Sequence, residues 1–289
     1  MKLFVTIYND AKLLRHFLAH YTRAGVTRFL VAIPPQFNSS IEPYLDRYDI
    51  TVVDGLDVND SILGGTAAVS TMRDIYQGDD EWVTIVDLDE FVEFPMPIHE
   101  LAAAADRIGA NVVRGVMYDR FSLDGRLVDF APEADLGKVY PVKARFIRNV
   151  MGGSDTKGVL VKGRIKPAAG AAHHRFEDER LFTALLEISH YKWIAGAIDR
   201  LRVSHQLIAG AGIPWSDEHA KVFEHYDRHG RFAWQEFGGA LAEDYPAETP
   251  EVCVECDAPV SEAEYAFSTA RFGKSLCRIH QKKYASAAG

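Results

Sequence analysis

The sequence predicts an α/β protein with a mainly parallel sheet flanked by helices, followed by a small module stabilised by a metal. Three observations lead there. Short apolar runs rich in β-branched and aromatic residues alternate with helical patterns over residues 2–118, the pattern of a parallel sheet with right-handed crossovers. One run, Trp82-Val83-Thr84-Ile85-Val86, leads straight into the acids Asp87, Asp89 and Glu90. All three cysteines fall near the carboxyl end, as Cys253-Val254-Glu255-Cys256 and then Cys277-Arg278-Ile279-His280.

The 289 residues suffice for one large domain and a small module. We divide them as residues 1–242, a Pro/Glu-containing linker at 243–251, and a module at 252–289. A chain that is 47% hydrophobic and 25% charged has the composition of an ordinary globular protein. The amino terminus has too short an apolar run for a signal peptide, and no apolar stretch approaches the ~20 residues of a membrane span. The expectation is therefore a cytoplasmic protein without a transmembrane segment. A net charge of −9 argues against binding nucleic acid over the whole surface. Between Lys138 and Lys166, however, eight basic residues face the single acid Asp155. That stretch reads either as a solvated strand pair or as a face for an anionic substrate.

Taken in order, Lys2 to Tyr8 reads as a strand, and Asn9 or Asp10 can cap the helix after it. Leu13, Leu14, Phe17, Leu18 and Tyr21 give that helix one apolar face, and Gly25 ends it. Arg28 to Ile33 is a second strand, Ile41 to Tyr48 a short helix and Ile50 to Val53 a third strand. A helix at Ala67 to Tyr76 precedes the strand Val83 to Asp87. Ile98 to Ile108 is helical and Asn111 to Tyr118 a strand. Val139 to Val150 and Val159 to Ile165 read as two more, joined by a glycine-containing loop. Helices begin near Ile198 and at Asp217.

The acids carry the chemistry. Ligands of such sheets bind beyond the carboxyl ends of the strands. Asp87 and Asp89 are two apart, so in extended chain their carboxylates share a side. Two hard oxygen donors there suit Mg²⁺ or Mn²⁺, with a substrate's phosphates filling the remaining positions. A solvated acidic strand end is the plainer alternative.

Asp87-Leu88-Asp89-Glu90-Phe91 resembles the D-x-D signature of GT-A-fold, family-2-like glycosyltransferases. Tyr8-Asn9-Asp10, His16 to Tyr21, and Ser189-His190-Tyr191 follow the same family's pattern, so the resemblance covers about Lys2 to Leu207. It implies a GT-A-like fold in which the acids hold Mn²⁺ or Mg²⁺ on the diphosphate of a nucleotide-sugar donor. It further implies that Asn9 and Asp10 lie near the nucleoside and Arg73 near the base or diphosphate. His190, or alternatively His174, would complete the metal shell. The family's acidic loop after the second strand is replaced by Pro34-Pro35-Gln36-Phe37-Asn38. Asp54 either substitutes for its base-reading carboxylate or is a turn residue. An inverting transferase needs a carboxylate base, for which Asp155, Glu177 and Asp178 are candidates. Lys157 can counter charge on the departing diphosphate.

In the carboxyl-terminal module, Cys253, Cys256, Cys277 and His280 have the spacing of a structural Zn²⁺ site. A segment this small lacks core enough to fold without such help, and the alternative is a disulfide plus a free thiol. The module resembles zinc modules of phage and bacterial nucleic-acid-processing proteins. With the basic stretch, that points to DNA, such as hydroxymethylated bases, as acceptor. A surface polysaccharide or glycolipid precursor is the competing acceptor. A non-catalytic nucleic-acid- or protein-binding protein on a degenerate transferase fold is the reading of another class.

Overall fold

The computed structural model describes residues 1–7, 11–56, 62–169, 171–208, 215–243, 255, 260 and 276–287. Its sheet begins with β1 (Lys2–Thr6), β2 (Arg28–Ala32), β3 (Ile50–Val52) and β4 (Trp82–Ile85), arranged β4-β1-β2-β3 and all parallel. Beyond β4 the sheet changes character. Strand β8 (Thr156–Lys162) runs antiparallel to β4, then come β6 (Val112–Phe121), β7 (Val142–Ala144) and β10 (Ala240–Leu241) in antiparallel succession. Two further strands leave this path. Strand β9 (Leu186–His190) pairs parallel to β6 and antiparallel to β5 (Glu90–Glu93). The fold is thus a mixed α/β sheet, all parallel over β4-β1-β2-β3 and mainly antiparallel beyond, where β9 on β6 is the parallel exception, so the sheet is less parallel than the sequence predicts.

Helices α1 (Leu14–Ala24), α2 (Ile62–Tyr76) and α3 (Ile98–Arg107) cover that half. Alternation along β1 and β2 divides the core. Leu3, Val5, Phe29 and Val31 face a large cluster with Phe17, Tyr21 and Leu101, whereas Phe4, Leu30 and Ala32 face a smaller one with Val69 and Met72. One face therefore packs on α1 and α3 and the other on α2. Gly25 closes α1 in the left-handed region at φ 107°, where an L side chain is strained. A short α4 (Leu136–Val139) precedes β7, and α5 (Ala197–Ile208) and α6 (Trp215–His229) follow β9.

Two sequence expectations fail. Residues 41–48 form no α-helix but 3₁₀ turns at Pro35–Ser40 and Glu42–Tyr44. Between Ile41 and Tyr48 only Ile41 is buried, too little apolar contact to offset the cost of nucleating a helix. The strand expected over Val139–Val150 is broken: α4 ends at Val139, β7 is brief, and Ile147–Met151 is a π-turn. The backbone N–H of Ile147 donates to Asp119 Oδ2 at 3.0 Å, which draws it out of any ladder.

In the carboxyl-terminal region, α7 (Arg278–Ala287) follows buried Leu276 and Cys277. Val260, Leu276 and Cys277 form a small apolar cluster backed by Tyr284. Among the described residues no helix is long and apolar enough to cross a membrane.

Candidate functional site

A cavity of about 580 Å³ opens at the carboxyl ends of β1 and β4, lined among others by Thr6, Asp87, Asp89, Lys157, His174 and His190. Strand β4 ends in a tight turn that aims the acids. The N–H of Glu90 donates to the Asp87 carbonyl at 3.1 Å, and the N–H of Asp87 donates back to Glu90 Oε2 at 2.9 Å. The fully buried Tyr21 clamps the next residues: its hydroxyl donates to the Glu90 carbonyl (2.9 Å) and accepts from Val92 N–H (3.1 Å). The turn that the sequence motif describes is therefore tied to α1 as well as to itself.

The cations come from the other half of the sheet. Lys157, on β8, donates to Asp87 Oδ2 at 2.7 Å and Glu90 Oε2 at 2.8 Å. Burial pushes the Asp87 carboxyl up, but Lys157 outweighs it and leaves Asp87 below the usual carboxylate range. For Glu90 burial wins and the shift is upward. His190 ends β9. Its Nδ1 bonds Asp119 Oδ1 at 3.0 Å, and its Nε2 lies 3.5 Å from Asp89 Oδ2. Burial alone would lower its pKa, yet attraction to Asp89 and the bond to Asp119 raise it to about 10. Burial likewise pushes Asp89 up, and His190 overrides it to hold Asp89 well below the ordinary range. Asp119 is fully buried and also accepts from Trp193 Nε1 (2.8 Å).

These contacts sort the predicted site residues. Asp87, Asp89, Lys157 and His190 are brought together on the cavity. The donors present fit a divalent cation in one respect: two carboxylates, one of them half-exposed, reach the same cavity with carboxylate charge in excess of the two neighbouring cations. In this structure both ring nitrogens of His190 face carboxylates. His174 is the alternative on the same cavity. Its Nδ1–H donates to the Thr156 carbonyl at 2.7 Å, which leaves the Nε2 lone pair unspent, and burial, then Lys157, lower its pKa and keep it neutral. A histidine oriented by a backbone carbonyl is the usual form of a metal ligand.

Other predicted residues lie elsewhere. Asp155 is buried against Arg145 Nε at 2.6 Å and does not line the cavity. Asp178 is exposed in a turn at φ 50°, also off the cavity, as is exposed Glu177. Arg73 is buried beneath α2, donating to Gln77 Oε1 and the Gly163 carbonyl, both at 2.8 Å, with its guanidinium over the Phe176 ring. Those contacts anchor the guanidinium inside the protein, and Arg73 does not line the cavity. Asp54 is exposed in the turn after β3. Asn9, Asp10, Cys253 and Cys256 lie outside the described residues. Cys277 and His280 do come together, with Sγ and Nδ1 3.3 Å apart.

Half of the basic stretch is spent on carboxylates. Lys143 pairs with Glu187 (2.6 Å), Arg145 with Asp155, Lys157 with Asp87 and Glu90, and Lys162 with Asp106 (2.8 Å). Apart from Asp155 these acids lie outside the stretch, and its other members, Lys138, Arg148, Arg164 and Lys166, are exposed.

Two further cavity residues carry no role from the sequence, although the His173-His174 pair stands out there. His173 is buried, and neither ring nitrogen has a hydrogen-bond partner. Burial, then Lys157, lower its pKa to about 3, so the ring is neutral. It follows Ala172, a non-glycine residue at φ 47°, and the turn packs closely on β8 because residue 158 is glycine: a Cβ there would meet the Phe176 ring at 2.5 Å. Asp199, in the first turn of α5, is the other, a further carboxylate lining the cavity. A strained turn cannot be read from Ala171-Ala172, but Asp199 beside Arg200 on a helix start was visible.

Among the described residues, His225, His229 and Glu236 bring ligand atoms within 4.8 Å of one another, a clustering that Asp87, Asp89 and the cavity histidines do not reach in this structure. His225 Nε2 there accepts the Ala233 N–H at 3.1 Å, which already spends its lone pair.

No protein-family model and no curated protein matches the sequence. Similar solved structures include HddC from Yersinia pseudotuberculosis, 7% identical, with a TM-score of 0.29 over 42% of this chain and 59% of that one. A UDP-glucose pyrophosphorylase complexed with UDP-glucose is 9% identical, with a TM-score of 0.27 over 42% of this chain and 58% of that one. The chain thus spans less than two thirds of either, and at these scores the likeness carries no argument about this protein.

Proposed function

We propose that this chain is a metal-dependent glycosyltransferase that moves a sugar from a nucleotide-sugar to an acceptor hydroxyl. One observation carries the reading: Asp87 and Asp89 end a parallel strand on a cavity, each held in its charged form by a cation from a distant strand. Strand-end carboxylates exposed to a cavity and kept ionised suit a divalent cation with a diphosphate.

Asp87, Asp89 and His174 would hold Mn²⁺ or Mg²⁺, which when bound neutralises charge developing on the departing diphosphate. Lys157 adds a fixed positive charge beside the same group. His190, backed by Asp119, keeps Asp89 ionised and aimed. Asp199 takes over from Asp155 and Asp178 as the candidate to accept the acceptor hydroxyl's proton, because it lines the cavity with Asp87 and Asp89 whereas they do not. Leu88, Ile194 and Leu201 give the same cavity an apolar part. The carboxyl-terminal Cys253, Cys256, Cys277 and His280 would bind one structural Zn²⁺, supported by the Cys277–His280 approach. A nucleic-acid acceptor keeps that module as its main motive, since half of the basic stretch is paired with carboxylates of this chain.

The test is a donor screen. Purified protein with Mn²⁺ is incubated with a panel of nucleotide-sugars, and nucleoside diphosphate release is read with hydroxymethylated DNA, with polysaccharide precursors and with neither. Metal-dependent release that disappears in Asp89→Ala supports the reading, and the acceptor that accelerates it gives the class. No release and no calorimetric binding of any donor would instead favour a binding protein on this fold.

A further inference from the structure

We propose that Lys157 is a resident counterion that competes with a divalent cation for Asp87, and that Glu90 governs the competition by holding Lys157 back. The inference rests on the metal-dependent reading above. Three observations carry it. One ammonium is shared between two carboxylates, 2.7 Å from Asp87 Oδ2 and 2.8 Å from Glu90 Oε2. The three side chains differ in freedom: Lys157 is 4% exposed and Glu90 3%, but Asp87 is 52% exposed. Lys157 with Glu90 is therefore the fixed pair, and Asp87 is the member free to turn toward the cavity. Lastly, Glu90 Oε2 also accepts the Asp87 N–H at 2.9 Å, so the turn and the lysine's anchor stay in place when the Asp87 side chain leaves.

The consequence is electrostatic. A cation ligated by Asp87 and the ammonium beside it repel at close range, in a site where the effective dielectric is well below that of water. Without Glu90 the lysine would have Asp87 as its sole carboxylate and would not release it. With Glu90 the lysine keeps a counterion, and its remaining charge favours a cation that arrives with an anion. Free cation then binds weakly, and a cation accompanied by a nucleoside diphosphate binds more tightly. Glu90 acts through Lys157 and is a positioning residue.

The experiment titrates Mn²⁺ into the full-length protein, read by calorimetry and by the electron paramagnetic resonance signal of free Mn²⁺. Wild type, Lys157→Met, Glu90→Gln and the double variant are compared, each alone and with UDP, GDP or ADP. Lys157→Met should bind free Mn²⁺ about ten-fold more tightly than wild type and Glu90→Gln about ten-fold more weakly. The double variant should fall within about three-fold of Lys157→Met, because with no lysine there is nothing for Glu90 to restrain. A purely structural Glu90 would weaken binding in the double variant as much as in the single one, and that result would overturn the proposal. So would unchanged or weaker binding in Lys157→Met. Should Lys157→Met not fold, judged by circular dichroism, the double variant against Glu90→Gln decides, since neither leaves a buried carboxylate unpaired. The predicted Mn²⁺ pattern without turnover of any donor would leave the competition standing and remove the transferase reading. Donor turnover with Mn²⁺ affinity indifferent to Lys157 would do the reverse.

Discussion

The parallel half of the sheet and its antiparallel half contribute opposite charges to the same cavity. Strand β4 and the turn after it supply Asp87, Asp89 and Glu90 within four consecutive positions. The other half supplies their partners from β8 and β9, Lys157 and His190, with Asp119 behind on β6, and adds the neutral His174 from the turn between those strands. The acids form a local motif fixed by one turn, whereas the cations meet only through long-range pairing, β8 on β4 and β9 on β5 and β6. The parallel half thus brings the acids to the cavity, and the other half brings the cations that pair with them.

The comparison breaks most sharply at Asp89. If the parallel half holds the ligand-binding groups, Asp89→Ala should reduce nucleoside diphosphate release by about 1,000-fold or more, with an unchanged circular dichroism spectrum because Asp89 is partly exposed. Retention of activity within ten-fold would move the chemistry away from this turn.

His190 tests the other half. Its pKa rises from 6.5 to about 10 on folding. A group raised in this way contributes stability that is fully present below its unfolded value and is lost as pH rises through the folded one. Denaturant unfolding followed from pH 6.5 to pH 10 should therefore show wild type losing stability on the order of a few kcal/mol. His190→Gln should be less stable at pH 6.5 and nearly flat across that window. A wild-type slope that survives the substitution would assign it to another group.

What could be read in advance follows the same division. Strands β1 to β4 and helices α1 and α3 were legible because their apolar periodicity is local and buried on predictable faces, and the acid motif was legible because its residues are adjacent. Strand β9 was not assigned, although Leu186-Glu187-Ile188-Ser189-His190 alternates, because five residues carry little signal against a partner some 70 positions away. The partner of His190 is hidden for a related reason: nothing near it in sequence announces Asp119, whose carboxylate takes one ring nitrogen. Asp155 read as a free carboxylate only because Arg145, ten residues earlier, gave no sign that the π-turn at 147–151 would fold the two together.

His174 and His173 sharpen the comparison at smaller amplitude. His174→Ala should weaken Mn²⁺ binding about ten-fold in calorimetry, the usual effect of losing one oriented ligand, whereas His190→Ala should act through stability and the aim of Asp89. Equal losses of affinity in the two would return the ligand role to His190. His173→Phe keeps the ring volume while removing two buried nitrogens that have no protein partner. It should leave thermal stability unchanged or raised and lower activity if a ligand supplies the missing partner. Unchanged activity would make His173 packing alone.

The smallest effect is expected where the antiparallel half meets solvent. Arg164 lies 3.5 Å from Asp79, both largely exposed, and exposed pairs of this kind contribute within about 1 kcal/mol after screening. Arg164→Ala, measured by denaturant unfolding in low and in high salt, should change stability by less than about 1 kcal/mol, with any difference shrinking as salt rises. The same substitution tests whether this end of the basic stretch touches an anionic acceptor. A phosphate contact would appear as a reduced salt slope in binding to duplex DNA, a solvated surface charge as no change. Because Lys143, Arg145, Lys157 and Lys162 are all spent on carboxylates of this chain, the expectation is no change. A reduced slope would instead mean that the antiparallel half presents charge outward as well as into the cavity, and would restore nucleic acid as the favoured acceptor.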